Sequence, residues 1–272
     1  MQPFVTAQPQ VWRHGGLAAA RTRALPEETA LALTYNRETY AVMMGTPANL
    51  EDFAVGFSIT EGVVDAAAEI DEIAVVEAPG GIELRMWLAP ERVEAMQARR
   101  RRINGPTGCG LCGIDSLAEA VRPPRRVAAN ARFTPQQIVV AQREMEALQP
   151  LGAVTRAVHA AALWHPARGM LHVREDVGRH NALDKLVGAA IRAGDDAGEC
   201  LLLLSSRVSI EMVQKACVLG APVLVAISAP TAHAVRLAEV AGLTLVAIAR
   251  ADGFEVFAGA DRIIAETRAD VA

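Results

Sequence analysis

The chain has 272 residues, 51% hydrophobic and 21% charged, with a formal net charge of −4. That balance belongs to a soluble globular protein of one large or two modest domains; it argues against a nucleic-acid coat, and no apolar run reaches the roughly 18 residues of a membrane helix. Four cysteines in this length do not make a disulfide framework, and Met1 to Ala20 lacks a signal-peptide core, so the expected location is the reducing cytoplasm, with no nucleic-acid and no membrane partner.

In chain order, residues 1–27 have little periodicity and read as an irregular lead-in. A small α+β domain is expected over 28–102. Its strands are 29–35 and 38–44, around Asn36-Arg37. Thr46-Pro47 then opens a helix that runs to Gly62, with Thr46 as N-cap. Apolar runs 70–76 and 82–88 flank Pro79-Gly80-Gly81, a hairpin signal. Residues 91–102 read as a helix ending in four arginines.

Residues 103–272 read as an α/β domain that includes a cysteine loop. A helix start at Asp115-Ser116 and the spacer Pro123-Pro124-Arg125-Arg126 follow that loop. Residues 135–148 form a helix, 153–163 a strand-like run, 170–174 a short strand and 181–193 a helix. Three buried strands, 200–204, 223–227 and 243–249, alternate with helices 210–219 and 232–240. That spacing implies a parallel sheet with crossover helices.

The densest chemistry lies in Gly108-Cys109-Gly110-Leu111-Cys112-Gly113. A thiol beside cations or a helix N-terminus ionises easily, with pKa values down to roughly 3.5–7.5, and the thiolate is the nucleophile. The basic run 99–102 precedes the pair and a helix start follows it. The loop therefore reads as sulfur chemistry; the plainer alternative is a loop with two small buried residues. It also fits G-x-G-x-x-G, but an arginine-rich helix precedes it where a dinucleotide site needs a strand. A structural zinc site needs four ligands; Cys200 and Cys217 fall on core elements, so no structural zinc is expected. A zinc deaminase needs H-x-E before P-C-x-x-C, yet alanine stands two residues after His159 and the thiols come first.

A second polar concentration lies where the parallel strands end: Ser205-Ser206-Arg207, Ser228-Ala229-Pro230-Thr231 and Arg250-Ala251-Asp252-Gly253. Ligands of open α/β sheets bind there, and two of these turns open helices, whose free N–H groups favour anions. A phosphate-bearing ligand fits; ordinary N-capping would account for Ser228 or Thr231 alone. Residues 175–185 lead into a helix on which His180 and Asp184 share a face, so the carboxylate could orient the imidazole. Arg179 and Lys185 are cations near a helix start, against the dipole, which suggests a bound anion.

Together these residues resemble the formate dehydrogenase accessory sulfurtransferase family. The carriers are Thr46-Pro47 with Phe53-Ala54-Val55-Gly56-Phe57 and Thr60-Glu61-Gly62, the cysteine loop, residues 175–185, and Ser205-Ser206-Arg207 with residues 211–215. Two departures stand out. Thr155-Arg156-Ala157-Val158 precedes His159 where the family usually has Thr-Gly-Gly, and the family's Ser-Gly-Arg turn reads Ser205-Ser206-Arg207.

The resemblance implies an α/β protein with a cytidine-deaminase-like three-layer second domain, commonly a homodimer. It implies a persulfide on Cys109, taken from a cysteine desulfurase, with Cys112 beside it. The sulfur would pass to the molybdenum or tungsten bis-pterin guanine dinucleotide cofactor (Mo-bis-MGD), which then enters formate dehydrogenase. The cofactor loop maps onto Ala249, Arg250, Ala251, Asp252, Gly253 and Phe254. Ser206, Arg207, His180 and Lys185 complete the expected cofactor site, for which guanine nucleotides would serve as mimics. Two other readings stay open: a cofactor-binding chaperone that transfers no sulfur, and a thiol oxidoreductase cycling Cys109 and Cys112.

Overall fold

The computed structural model describes residues 1–19, 21–93 and 123–264. Cys109, Cys112, Asp115-Ser116 and the expected helix beyond Val93 lie outside the described residues.

The first 26 residues carry four short strands where an irregular lead-in was expected. β1 (Phe4–Ala7) pairs antiparallel with β4 (Arg23–Pro26), and β2 (Val11–Arg13) with β3 (Gly16–Ala18). Their side chains are mostly exposed, so hydrophobic alternation could not reveal them.

β5 (Thr29–Tyr35), β6 (Glu38–Gly45), β7 (Ile70–Ala78) and β8 (Gly81–Leu88) form a sheet of order β6-β5-β8-β7. β8 alternates strictly, burying Ile82, Leu84, Met86 and Leu88, as a sheet with one covered face should. Helix α1 (Leu50–Thr60) contributes Phe53, Phe57 and Ile59 to the same core. Its N-cap is Asn49, not Thr46. Thr46 is fully buried because its polar groups are committed to distant residues, described below.

The second sheet has order β10-β9-β11-β12-β13-β14. Its centre is parallel: β11 (Leu201–Leu204), β12 (Val223–Ala226) and β13 (Thr244–Arg250). Every residue of β11 and β12 is buried, as strands covered on both faces must be. β9 (His159–His165), β10 (Gly169–Asp176) and β14 (Gly253–Ala258) flank it antiparallel. β14 is an edge strand that the residue pattern did not suggest.

Alternate strand residues feed two cores. Leu202, Leu204, Leu224 and Leu245 meet helices α4 (Arg179–Ala193), α5 (Ile210–Leu219) and α6 (Ala232–Ala241). Leu201, Leu203, Val225 and Val246 meet α2 (Pro135–Ala147) on the other face. The architecture is mixed α/β with helices on both sides of this sheet. Among the described residues no helix is long and apolar enough to cross a membrane.

The run expected as a strand from 153 begins instead as helix α3 (Pro150–Thr155). Its cause is remote. The Glu175 carboxylate accepts from Leu151 N at 2.9 Å and Gly152 N at 2.6 Å, satisfying donors that a helix start leaves open. Arg156 ends this helix in the left-handed region at φ 56°, where glycine is at ease.

Candidate functional site

The parallel strands and their neighbours end on one rim. His159 opens β9 opposite Asp176, the last residue of β10. Ala160 N donates to Ser205 Oγ at 2.8 Å and Ser205 N to Ala160 O at 3.0 Å, which sets the Ser205-Ser206-Arg207 turn beside His159. Val208 bridges the turns after β11 and β12: its N donates to Ala229 O and its O accepts from Thr231 N. Arg250 at the end of β13 donates to its own neighbour Ala249 O at 2.7 Å and to Ile227 O beyond β12. Rim-forming Arg207 and Arg250 are exposed.

Two helices enter this rim without a side-chain cap. The N-cap of α4 is Gly178 and that of α5 is Ser209, whose Oγ is buried with no hydrogen-bond partner among the described residues. By contrast Thr231 Oγ1 accepts from Ala234 N at 3.2 Å at the start of α6, so ordinary capping explains Thr231. Near these helix starts three more buried polar atoms have no hydrogen-bond partner among the described residues: Arg179 Nε, His180 Nε2 and Glu211 Oε2. Such groups cost free energy unless something satisfies them. Ser206 is buried and donates to the Arg207 carbonyl at 3.1 Å.

Both imidazoles at the rim are held neutral near pH 7. Burial, then the Arg179 guanidinium, pushes His180 down to about 4, with Lys215 adding to the shift and Glu211 and Glu61 opposing it. Burial first, then Arg179 and Arg207, lowers His159, with Asp176 opposing. The sequence did not mark His159, Ser209 or Glu211 as site residues. Only Ser209, a hydroxyl just before an apolar-periodic run, carried a local signal.

The depressed His180 has a stability consequence. The unfolded ring binds a proton near pH 6.5, the folded one only near 4. Between these values the unfolded state holds more protons, so stability falls as pH drops through that window. The ring keeps some exposure, so we expect about 2 kcal/mol at most. Urea midpoints at pH 7.5 and 4.5 should differ more for the native chain than for His180→Gln. Equal differences would show that the imidazole does not titrate this way.

The expected partner of His180 is engaged elsewhere. Asp184 accepts from Thr60 Oγ1 at 2.6 Å and from Lys215 Nζ at 2.8 Å; Lys215 also reaches Glu61 at 2.8 Å. Burial pushes Asp184 up and Lys215 pulls it back. Burial alone would lower Lys215, but Asp184 and Glu61 outweigh it and hold the ammonium charged. This cluster joins α1, α4 and α5.

Lys185 is also turned inward. Its side chain is fully buried, and Nζ donates to Asp176 at 2.6 Å and to Thr46 O at 2.8 Å. Asp176 further accepts from Thr46 N at 2.9 Å, Gly178 N at 2.7 Å and Asn181 Nδ2 at 3.1 Å, while Thr46 Oγ1 accepts from Val177 N. No Lys185 side-chain surface remains for a ligand to touch in this conformation. Its placement is that of a support, fastening the Thr46 turn to the start of α4.

Residues 249–254 form the β13–β14 hairpin tip. Arg250 pairs with Gly253, leaving Ala251 and Asp252 exposed at the turn; Ala249 is buried and Phe254 partly so. The register breaks between Ala247 and Arg250, and Ile248 there has φ 53°. A β-branched residue in the left-handed region is a strained outlier, and bulges of this kind often re-aim residues beside functional sites.

The other two thiols, Cys200 and Cys217, are buried, and burial pushes each up to about 12. Among the described residues no cluster of three or more His, Cys, Asp or Glu could hold a metal.

Comparison with known proteins finds relatives along most of the chain. A solved structure from Desulfotalea psychrophila, provisionally assigned as a formate dehydrogenase accessory protein, superposes with a TM-score of 0.76 at 26% identity, covering 97% of this chain and all of that one. A protein of Agrobacterium fabrum named sulfur carrier protein FdhD is 50% identical over 250 residues, 92% of each chain. Proteins of the same name from Brucella abortus and Cupriavidus necator are 50% and 45% identical, over 89% and 93% of this chain and 91% and 87% of theirs. The sequence model of the FdhD/NarQ family matches residues 26–264, the span that holds the four-stranded and six-stranded sheets, and the chain belongs to that family.

Proposed function

We propose that this protein is a sulfur carrier in formate dehydrogenase maturation. The observation that carries the reading is 50% identity along nine-tenths of a relative named as a sulfur carrier. In the proposed cycle, the Cys109 thiolate attacks the outer sulfur of a cysteine desulfurase persulfide. A new S–S bond forms on Cys109, the desulfurase S–S bond breaks, and its thiolate leaves. A reducing thiol then attacks the inner sulfur, and the persulfide S–S bond breaks. The outer sulfur leaves as sulfide for the Mo-bis-MGD cofactor, or its tungsten counterpart, as substrate, and Cys109 is left in a disulfide with that thiol. Buried Cys200 and Cys217, with thiols near 12, are poor nucleophiles at neutral pH, which supports the 109/112 pair as carrier. Cys112, close by in sequence, would be its neighbour.

The cofactor's guanine dinucleotide ends would lie at the rim. Arg207, Arg250 and the uncapped starts of α4 and α5 would take the phosphates, and residues 249–254, with Ser206 and His180, would lie around them. The three-layer second half suits the deaminase-like scaffold that the resemblance implied. The working protein would be a cytoplasmic homodimer that meets the desulfurase and formate dehydrogenase in turn.

Two experiments test the reading. Cells carrying Cys109→Ser should lose formate dehydrogenase activity while the purified variant still binds guanosine diphosphate; retained activity would leave only a protective chaperone. Arg207→Ala and Arg250→Ala should each weaken guanosine diphosphate binding by about 1.5–3 kcal/mol, the worth of a charge-assisted hydrogen bond. Calorimetry giving native affinity for both variants would remove the phosphates from this rim.

A further inference from the structure

The two N-terminal ribbons lie almost wholly outside the residues matched by the family, which begin at 26. Each ribbon has only two strands, so each strand keeps one edge without a ladder partner among the described residues. Between the ribbons and α3 runs a groove of about 560 Å³, lined by Trp12, Arg13, Arg21, Arg23 and Val154 among others. Trp12 is 71% exposed and Val154 52%.

The charge in this groove is unbalanced. Residues 1–26 contain no aspartate or glutamate, although the chain as a whole is net negative. Arg13, Arg21 and Arg23 are exposed, and none forms an ion pair or side-chain hydrogen bond among the described residues. Three guanidiniums without a partner among the described residues, beside an exposed indole and valine, make a surface suited to a partner that is both anionic and apolar.

We propose that this groove docks an extended acidic segment of a partner protein. Its carboxylates pair with Arg13, Arg21 and Arg23, an apolar side chain lies against Trp12 and Val154, and its backbone adds to an unpaired strand edge. Two features favour an extended peptide over a compact anion. Apart from Val154 in the last turn of α3, the lining comes from strands and their flanks, with no helix N-terminus to cradle a phosphate. Arg13 ends β2 and Arg23 opens β4, so two of the cations sit on strands that an extended segment can run beside.

The test is fluorescence anisotropy with a labelled ten-residue peptide in which glutamate alternates with threonine and valine. The native chain should bind it, more weakly as salt rises. The triple variant Arg13→Gln, Arg21→Gln, Arg23→Gln should bind at least tenfold more weakly, and Trp12→Ala several-fold more weakly. All four positions are exposed, so thermal unfolding should be unchanged, and sulfur loading on Cys109 should be too. The proposal is overturned by any of four results: no binding, native binding by the triple variant, equal binding of the glutamine version of the peptide, or displacement of the peptide by inorganic phosphate. Loss of self-association in Trp12→Ala without any peptide binding would also overturn it, by giving the face to a second copy.

Discussion

Gly188→Val is expected to leave the chain unable to fold. Gly188 on α4 and Gly56 on α1 face each other where the two helices cross. A Cβ on Gly188 would lie 1.9 Å from the Asp52 carbonyl oxygen, and one on Gly56 would lie 1.7 Å from that of Asp184. Both obstacles are helix backbone, which cannot swing aside as a side chain can. Separating the helices would also break the bonds around the crossing, where Asp52 pairs with Arg174 and Arg192 and Thr60 bonds Asp184. Alanine in a helix would ordinarily gain about 1 kcal/mol over glycine, so the sign of the effect identifies its cause. We expect Gly188→Ala and Gly56→Ala each to lose more than about 4 kcal/mol, the range reached only by core disruption, and Gly188→Val to give no cooperative transition. Circular dichroism during urea titration reads this directly. A stabilised or neutral Gly188→Ala would mean that the helices do not touch as described.

The second large effect belongs to the buried pair Lys185–Asp176. Both side chains are fully inaccessible. Burial pushes the Lys185 ammonium down, and Asp176 pulls it back. Lys185→Met keeps the apolar stem but leaves a buried carboxylate without its counter-charge, which costs roughly 3–5 kcal/mol. The double variant Lys185→Met, Asp176→Asn should recover much of that loss, because it removes the stranded charge and the amide oxygen, in the place of Oδ1, still accepts from Gly178 N, although the Thr46 N bond to Oδ2 is lost. The coupling free energy from the four proteins should be at least about 2 kcal/mol. Additive losses would show that the two groups act independently. Because the pair also fixes the Thr46 turn and the start of α4, Lys185→Met should weaken guanine nucleotide binding through position alone.

Much of the fold was legible where local signals and burial agree. Pro79-Gly80-Gly81 marked a hairpin that runs from β7 to β8, and helix 210–219 was read to its boundaries. The central strands 201–204 and 223–226 were legible because continuous apolar runs of that length suit parallel strands covered on both faces. Misreadings arose where a distant residue decides local structure. Glu175 caps α3, 24 residues away from Leu151, so Ala153 and Val154 looked like the start of a strand. Thr46 resembled an N-cap, but its amide, hydroxyl and carbonyl serve Asp176, Val177 and Lys185, about 130 positions on. The same limit applies at the rim. Residues 175–185 were conspicuous by their charge, yet charge alone could not separate Lys185 and Asp184, which are buried in ion pairs, from Arg179 and His180, which keep unpartnered buried atoms at the rim. The cysteine loop was the clearest chemical signal in the sequence, and it lies outside the described residues.

Sulfur placement on the loaded protein is the most direct measurement. The native chain is incubated with a cysteine desulfurase and cysteine, alkylated, and mapped by peptide mass spectrometry. One additional sulfur atom is expected on the peptide bearing Cys109, and none is expected in Cys109→Ala. Sulfur found on Cys200 or Cys217, or carried undiminished by Cys109→Ala, would contradict a carrier at Cys109.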